Sequence, residues 1–407
     1  MIRLIKTSDL SQHVFEGRSV PGYVILSHRW EEGEISLGEL QGNLNLHKQG
    51  WLKLQRFCQF AETRGHRFVW IDTCCIDKTS SAELQEAINS MFRWYRRAEC
   101  CYVYLCDVPA RDDLDLPEWT KIFKASKWFT RGWTLQELLA PHRLTFVCSD
   151  WKEEIGSRQS LSHEVSEVTR IPEKPLVQGW SLKDDFGGAE FTVAQIMSWA
   201  SKRSTTRVED TAYSMMGLFH INMPLLYGEG SNAFIRLQLE IMSKYDDNSL
   251  FAWGIPLRDR HFESNSALNR ALDIPEAYWW GGLLAPAIHC FEDCAGHFHH
   301  LERYEDARLF SMTSKGIQVE GLLRRYEKAR YGGSHWLLPL NCGREAHLKH
   351  RLGIVLAGDG QLAMRVVNVQ SVEPGLVECH WDAERELKAE YEYRRVFVPQ
   401  AWPGDFD

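Results

Sequence analysis

Apolar residues in the first 150 positions follow two alternating periods. Four short runs are apolar almost without interruption: Tyr23-Val-Ile-Leu-Ser27, Phe68-Val-Trp-Ile-Asp72, Cys100-Cys-Tyr-Val-Tyr-Leu105 and Leu144-Thr-Phe-Val-Cys148. Such runs predict strands buried on both faces of a parallel sheet. Helical spacing fills the gaps. Leu54, Phe57, Cys58 and Ala61 share one helix face, with Gly65 placed to end the helix. Ser80-Ser-Ala-Glu83 has the form of a capping box and opens a second helix, with Leu84, Ile88, Met91 and Tyr95 on one side. A third runs from Trp133 to Ala140 and stops at Pro141. Strands alternating with helices predict an α/β domain over 1–150.

The pattern then changes. Residues 152–190 read as an irregular connector with room for one helix. Helical spacing returns at 192–200, 210–219 and 233–245, giving a helical extension over 151–250. From 251 to 407, alternation takes over, as in Gly316-Ile-Gln-Val-Glu-Gly and Leu352-Gly-Ile-Val-Leu-Ala, and Ala357-Gly-Asp-Gly360 fits a hairpin turn. This last part reads as a mostly β module.

Charge narrows the functional classes. Residues 1–150 hold 19 basic and 19 acidic side chains, so the net charge of -8 lies entirely in the remainder. The absence of a basic block argues against a nucleic-acid binder. No run has the ~18 apolar residues of a membrane span, and Met1-Ile-Arg-Leu-Ile-Lys lacks the apolar core of a secretion signal. Eleven cysteines, an odd number with several inside strand-like runs, point to a reducing compartment, so the expected location is cytoplasmic. Cys290-Phe-Glu-Asp-Cys294-Ala-Gly-His297-Phe-His299-His300 contains zinc-type ligands, but its spacing fits no standard finger, and no metal is expected.

Ligands of open parallel sheets bind beyond the carboxyl ends of the strands. Here those ends read Ser27-His28-Arg29-Trp30, then Asp72-Thr-Cys-Cys75-Ile-Asp77, with Arg131-Gly-Trp133-Thr-Leu-Gln-Glu137 opening a helix. A hydroxyl, guanidiniums, carboxylates and indoles on one edge suit a polar ligand with aromatic parts, such as a nucleotide. Ser27 and His28 are adjacent, so in a strand they point to opposite sides and do not form a nucleophile pair. Cys75 reads as strand-end packing more readily than as a thiol nucleophile.

The same three blocks, together with Ser81–Tyr95 and Arg207–Gly230, resemble the heterokaryon-incompatibility (HET) domain of filamentous fungi. The resemblance implies a TIR- or flavodoxin-like parallel sheet and a role in non-self recognition leading to growth arrest or cell death. TIR domains that hydrolyse NAD+ use one glutamate in the helix after a tryptophan-containing loop. By motif position that residue is Glu137. The resemblance thus implies an NAD+ glycohydrolase with Glu137 catalytic, NAD+ as substrate and no cofactor required. Ser27, His28, Arg29, Trp30, Asp72, Cys75, Asp77, Arg131 and Trp133 would bind the nucleotide. It also implies self-association, with a protein partner engaged through the C-terminal module. The competing reading is a non-enzymatic death-fold adaptor, favoured by the 16 tryptophans. A metal-dependent hydrolase built on the Cys/His stretch is the weakest of the three.

Overall fold

A computed structural model describes residues 1–111, 114–180, 191–254, 278–294, 298–300, 309–325, 335–340, 342–344, 350–357, 364–368, 376–380, 391–398 and 400. Residues 358–360 of the predicted turn and His297 lie outside these residues. By its contacts the chain forms two units, residues 1–181 with 203–228, and residues 182–202 with 229–407. The stretch 151–250 is therefore shared between the two.

The first unit is built on a seven-stranded sheet. Its strands are β1 (Ile2–Lys6), β2 (Gln12–Phe15), β3 (Val24–His28), β4 (Phe68–Trp70), β5 (Cys100–Tyr104), β6 (Leu144–Val147) and β7 (Glu154–Ser157), in the order β2-β1-β4-β3-β5-β6-β7. The four predicted strands form the parallel centre, with Val24 opposite Val69 and Cys100, and Cys101 opposite Leu144. Every residue of β3 is buried, which accounts for its unbroken apolar run up to Ser27. The edges β1, β2 and β7 are antiparallel additions that the sequence pattern did not reveal. In chain order the parallel strands lie 2-1-3-4, the flavodoxin-like arrangement, whose topological switch point falls between β3 and β5.

Between the strands lie α1 (Leu37–Gly42), α2 (Gln49–Glu62), α3 (Asp72–Cys75), α4 (Ser81–Arg97), α5 (Leu116–Lys124) and α6 (Thr134–Leu139). The predicted starts and stops are present. Gly65 follows α2 at φ +83°, and the Ser80 hydroxyl accepts from Glu83 N–H at the start of α4. The Glu83 carboxylate does not close a capping box; it takes Asp77 N–H and the Arg3 guanidinium instead. Tryptophan goes largely into the core. Trp119, Phe123, Trp128, Phe129 and Phe146 form one set of ring contacts, and Trp70 meets Trp94 and Tyr95.

Residues 152–180 are more ordered than an irregular connector. They hold β7 and two helices, α7 (Ser162–Thr169) and α8 (Glu173–Gln178). Short helices with buried polar residues carry weak periodicity, and α8 starts directly after Pro172. The unit is completed by α10 (Asp210–Tyr213) and a 3-10 turn at Met216–Phe219.

The second unit contains α9 (Val193–Ser198) and α11 (Asn232–Lys244). Asp247 and Ser249 accept from Val193 N–H and Ala194 N–H, satisfying free donors at the start of α9. The buried Gln238 amide exchanges two hydrogen bonds with the Ala285 backbone. Its strands, from β8 (Tyr278–Gly281) to β17 (Tyr391–Val398), form an eight-stranded antiparallel sheet and a two-stranded one. The expectation of an α/β N-terminal part, helices after it and a β module at the end holds.

Gly217 shows how tightly residues 203–228 pack on the sheet domain. A Cβ added there would lie 2.4 Å from Phe92 Cβ on α4. Gly217→Ala is therefore expected to cost about 1–3 kcal/mol by overpacking. Thermal unfolding would show it as a melting temperature lower by roughly 2–9 °C; an unchanged value would contradict the packing.

Candidate functional site

The site is assembled at the carboxyl end of β3. Ser27 is wholly buried, and its hydroxyl donates to Glu137 Oε2 at 2.5 Å while accepting from Trp128 Nε1 at 2.8 Å. Trp128 comes from a 3-10 turn, Lys127–Thr130, which Asp107 holds by accepting from Ser126 and from Lys127 N–H. Glu137 lies in the first turn of α6, a helix packed against β3 and α4 and buried along its whole length. Tyr95 from α4 stands beside this pair, with its hydroxyl donating to the Leu26 carbonyl.

Two guanidiniums hold α6 at its ends. Arg203 donates to the Arg131 carbonyl and the Thr134 hydroxyl at the start. Arg158, wholly buried, donates to the carbonyls of Leu138 and Leu139 at the end. A cation suits a helix C-terminus, where unsatisfied carbonyls carry partial negative charge.

His28 turns to the other side of the strand, as adjacency to Ser27 requires. Its Nε2 lies 3.1 Å from Asp72 Oδ1, and its Nδ1 lies 3.0 Å from Lys53 Nζ. An ammonium only donates, so Nδ1 accepts and the ring proton sits on Nε2, pointing to Asp72. Lys53 in turn pairs with Glu34. The other Asp72 oxygen accepts from Trp30 Nε1 at 2.7 Å. Trp30 is 46% exposed, and the Lys78 ammonium lies 3.6 Å from the centre of its ring.

The two carboxyl groups are driven apart. Burial pushes Glu137 up to about 8, helped by the Asp72 charge and opposed by the Ser27 and Tyr95 hydroxyls and by Arg203. Burial also pushes Asp72 upward, but His28, Lys78 and Trp30 outweigh it and hold the group below the usual carboxylate range. At neutral pH Asp72 is ionised and Glu137 holds its proton. Such a divergence of two nearby carboxyls is typical of acid–base sites.

Of the sequence-predicted residues, Ser27 and Glu137 are hydrogen-bonded to each other, while His28, Trp30 and Asp72 form the neighbouring cluster. The other five go elsewhere. Arg29 is half-buried at the strand end and makes no hydrogen bond in either cluster. Cys75 is buried with its sulfur accepting from Ile71 N–H, and is not placed against His28. Asp77 accepts from the backbone and hydroxyl of Thr79 and closes a turn. Arg131 reaches Thr206, and Trp133 lies near enough to Asp210 to favour its charged form. Gly132 between them packs on Thr205, whose Cγ2 would lie 2.5 Å from an added Cβ. The Arg131-Gly-Trp133 block therefore docks residues 204–210 on the sheet domain. Trp128, Tyr95, Lys53, Glu34, Lys78 and Arg203 belong to the site but were missed. Trp128, Tyr95 and Lys78 left a trace, lying next to or inside quoted blocks.

Comparison with known proteins finds family likenesses for parts of the chain. Residues 23–115 match the family described as heterokaryon incompatibility protein (HET). The chain carries a HET domain. The match holds Ser27, His28, Asp72 and Tyr95 and ends before Glu137. Residues 232–397 match a domain of unknown function, DUF8212, which falls within the second unit. The chain is also similar to a protein named vegetative incompatibility protein HET-E-1 from Podospora anserina, at 47% identity over 232 residues, 56% of this chain. It spans only 16% of that relative's length. No solved structure matches. Among the described residues no cluster of His, Cys, Asp or Glu is arranged to hold a metal, no disulfide joins the cysteines, and no helix is long and apolar enough to cross a membrane.

The buried Glu137 carboxyl fixes a pH dependence. Glu137 rises from an ordinary value of 4.5 to about 8 on folding. Its stabilising contribution is thus fully present below about 4.5, lost as the pH climbs through 8, and flat above. Melting temperatures of wild type and Glu137→Gln across pH 5–9 should converge at low pH, with only the wild type falling toward pH 8. Parallel curves would contradict the assignment.

Proposed function

We propose that the chain is an effector of vegetative incompatibility whose HET domain acts as a TIR-like NAD+ glycohydrolase, with Glu137 as the catalytic carboxylate. The observation that carries the reading is Glu137 held by Ser27 at the topological switch point, where open α/β sheets bind nucleotides. The role in incompatibility is supported by the HET match and the name of the similar Podospora protein.

The chemistry is modest in what it asks of the protein. The bond between C1′ of the ribose and the nicotinamide nitrogen breaks, and its electron pair leaves with nicotinamide, cancelling that ring's charge. Positive charge develops on the ribose, water adds at C1′, and a proton is released. A carboxylate beside C1′ stabilises that charge and orients the hydroxyls or the water. Glu137 is neutral at pH 7 in the closed arrangement, and an approaching pyridinium cation favours its ionised form. Trp30 offers an exposed ring face for a base, with Lys78 at hand for a phosphate.

Glu137 is only 8% exposed, so substrate reaches it after a local opening. A closed site suits an effector that is silent until triggered by self-association or by a partner bound to the C-terminal module. The same burial favours the second reading, in which the Ser27–Glu137 pair only braces a non-enzymatic adaptor.

Nicotinamide release from NAD+ by the purified chain separates the two. Glu137→Gln should slow release about 100-fold or more. No release at any protein concentration, with Glu137→Gln still arresting growth in fungal cells, would overturn the enzymatic reading and leave the adaptor.

A further inference from the structure

We propose that Arg203 is a positioning residue for Glu137, so that the segment Arg203–Gly228, which lies beyond the HET match, completes the site. The inference rests on Glu137 being the working carboxylate.

Arg203 stands at the start of that segment, and its Nη1 makes two hydrogen bonds that both act on the glutamate's surroundings. One goes to the Arg131 carbonyl at 3.0 Å, and the other to Thr134 Oγ1 at 2.8 Å, in the residue that opens α6. Thr134 Oγ1 also lies 2.8 Å from the Trp128 carbonyl, and the indole of Trp128 donates to Ser27, which donates to Glu137. A chain of polar contacts therefore leads from Arg203 to Ser27 and on to the carboxyl. The backbone around Arg203 is fixed in step. Ser204 forms a parallel bridge with Arg131, Gly132 N–H donates to the Ser204 carbonyl, and Ser204 N–H donates to the Thr130 carbonyl.

Further along the segment, Asp210 takes a hydrogen bond from Tyr227, Trp133 helps to hold its carboxyl down against burial, and Gly228 N–H donates to Glu209. The segment is thus keyed to the Trp133-to-Glu137 turn at several points. A cation delivered there cannot drift from the carboxyl without breaking them.

The groups that face Glu137 come from five places. Ser27 is on β3, Asp72 on α3, Tyr95 on α4, Cys101 on β5, and Arg203 in the segment. Asp72 opposes ionisation of Glu137, while the Ser27 and Tyr95 hydroxyls and Arg203 favour it, Arg203 by its charge. Burial works against the charge of Arg203 itself, while Glu137 favours keeping it. The two groups therefore support each other's charged forms, and Arg203 offsets part of the cost that burial sets on ionising Glu137.

The decisive experiment is a carbon-13 NMR titration of the Glu137 carboxyl in the full chain. Its resonance is assigned by its absence in Glu137→Gln. Arg203→Gln should raise the midpoint by about one pH unit or more, leaving roughly tenfold less carboxylate at a given pH below it. Arg203→Lys should keep the midpoint near the wild-type value. Nicotinamide release should follow, with Arg203→Gln moving the pH midpoint of the rate upward and preserving the plateau at high pH. If Arg203→Gln does not fold, Arg203→Lys combined with Thr134→Val loosens the anchor while retaining a charge, and a midpoint displaced from that of the wild type supports the proposal. A midpoint that stays put in folded Arg203→Gln, or in the double variant where that one does not fold, overturns it. A chain that releases no nicotinamide but whose Glu137 midpoint still moves would sink the enzymatic reading and leave the coupling to Arg203 standing.

Discussion

One hydrogen bond organises the first unit: Ser27 Oγ to Glu137. It places a hydroxyl at the end of a strand that is otherwise apolar and buried, and it brings a carboxyl under the same cover. A buried carboxyl is costly unless it stays protonated or gains partners. The surrounding structure responds to that cost. Trp128 supplies the donor that Ser27 can accept, Tyr95 stands alongside, and Arg203 brings the compensating charge. Arg158 and Arg203 fix the two ends of α6, so the glutamate has little freedom to turn away.

A few ångströms across the sheet edge, the same strand meets the opposite solution. His28 and Trp30 direct N–H groups at Asp72, and Lys53, Glu34 and Lys78 balance the remaining charge. Asp72 is thereby kept ionised while Glu137 is kept neutral. Alternation along β3 is enough to produce this, because neighbouring residues face different environments. The first unit thus offers one proton-bearing and one charged carboxyl at its switch point, with an exposed indole at the rim.

Much of this was legible in the chain, and the gaps have physical causes. The four central strands announced themselves because strands covered on both faces must be apolar throughout. The edges β2 and β7 are partly exposed, and β1 is interrupted by Arg3 and Lys6, so none left such a run. Ser27, Asp72 and Glu137 could be picked out as polar residues interrupting apolar elements at strand and helix ends. Arg203 could not: it sits in a polar stretch, 66 positions after Glu137, and only the docking of residues 204–210 brings it near. The same docking takes up Arg131 and Trp133, which stood out in the sequence as candidate ligand-binding residues. Their conspicuous chemistry is spent within the protein, on Thr206 and Asp210, and Gly132 is there to let Thr205 approach.

The account stands on the nicotinamide ribose meeting Glu137 at the end of β3. A crystal structure with a non-hydrolysable NAD+ analogue tests this most directly. The account predicts the ribose C1′ within about 3.5 Å of the Glu137 carboxyl, in reach of Ser27 and with the Trp30 face covered. An analogue bound elsewhere, with Ser27 and Glu137 still sealed against each other, would contradict it.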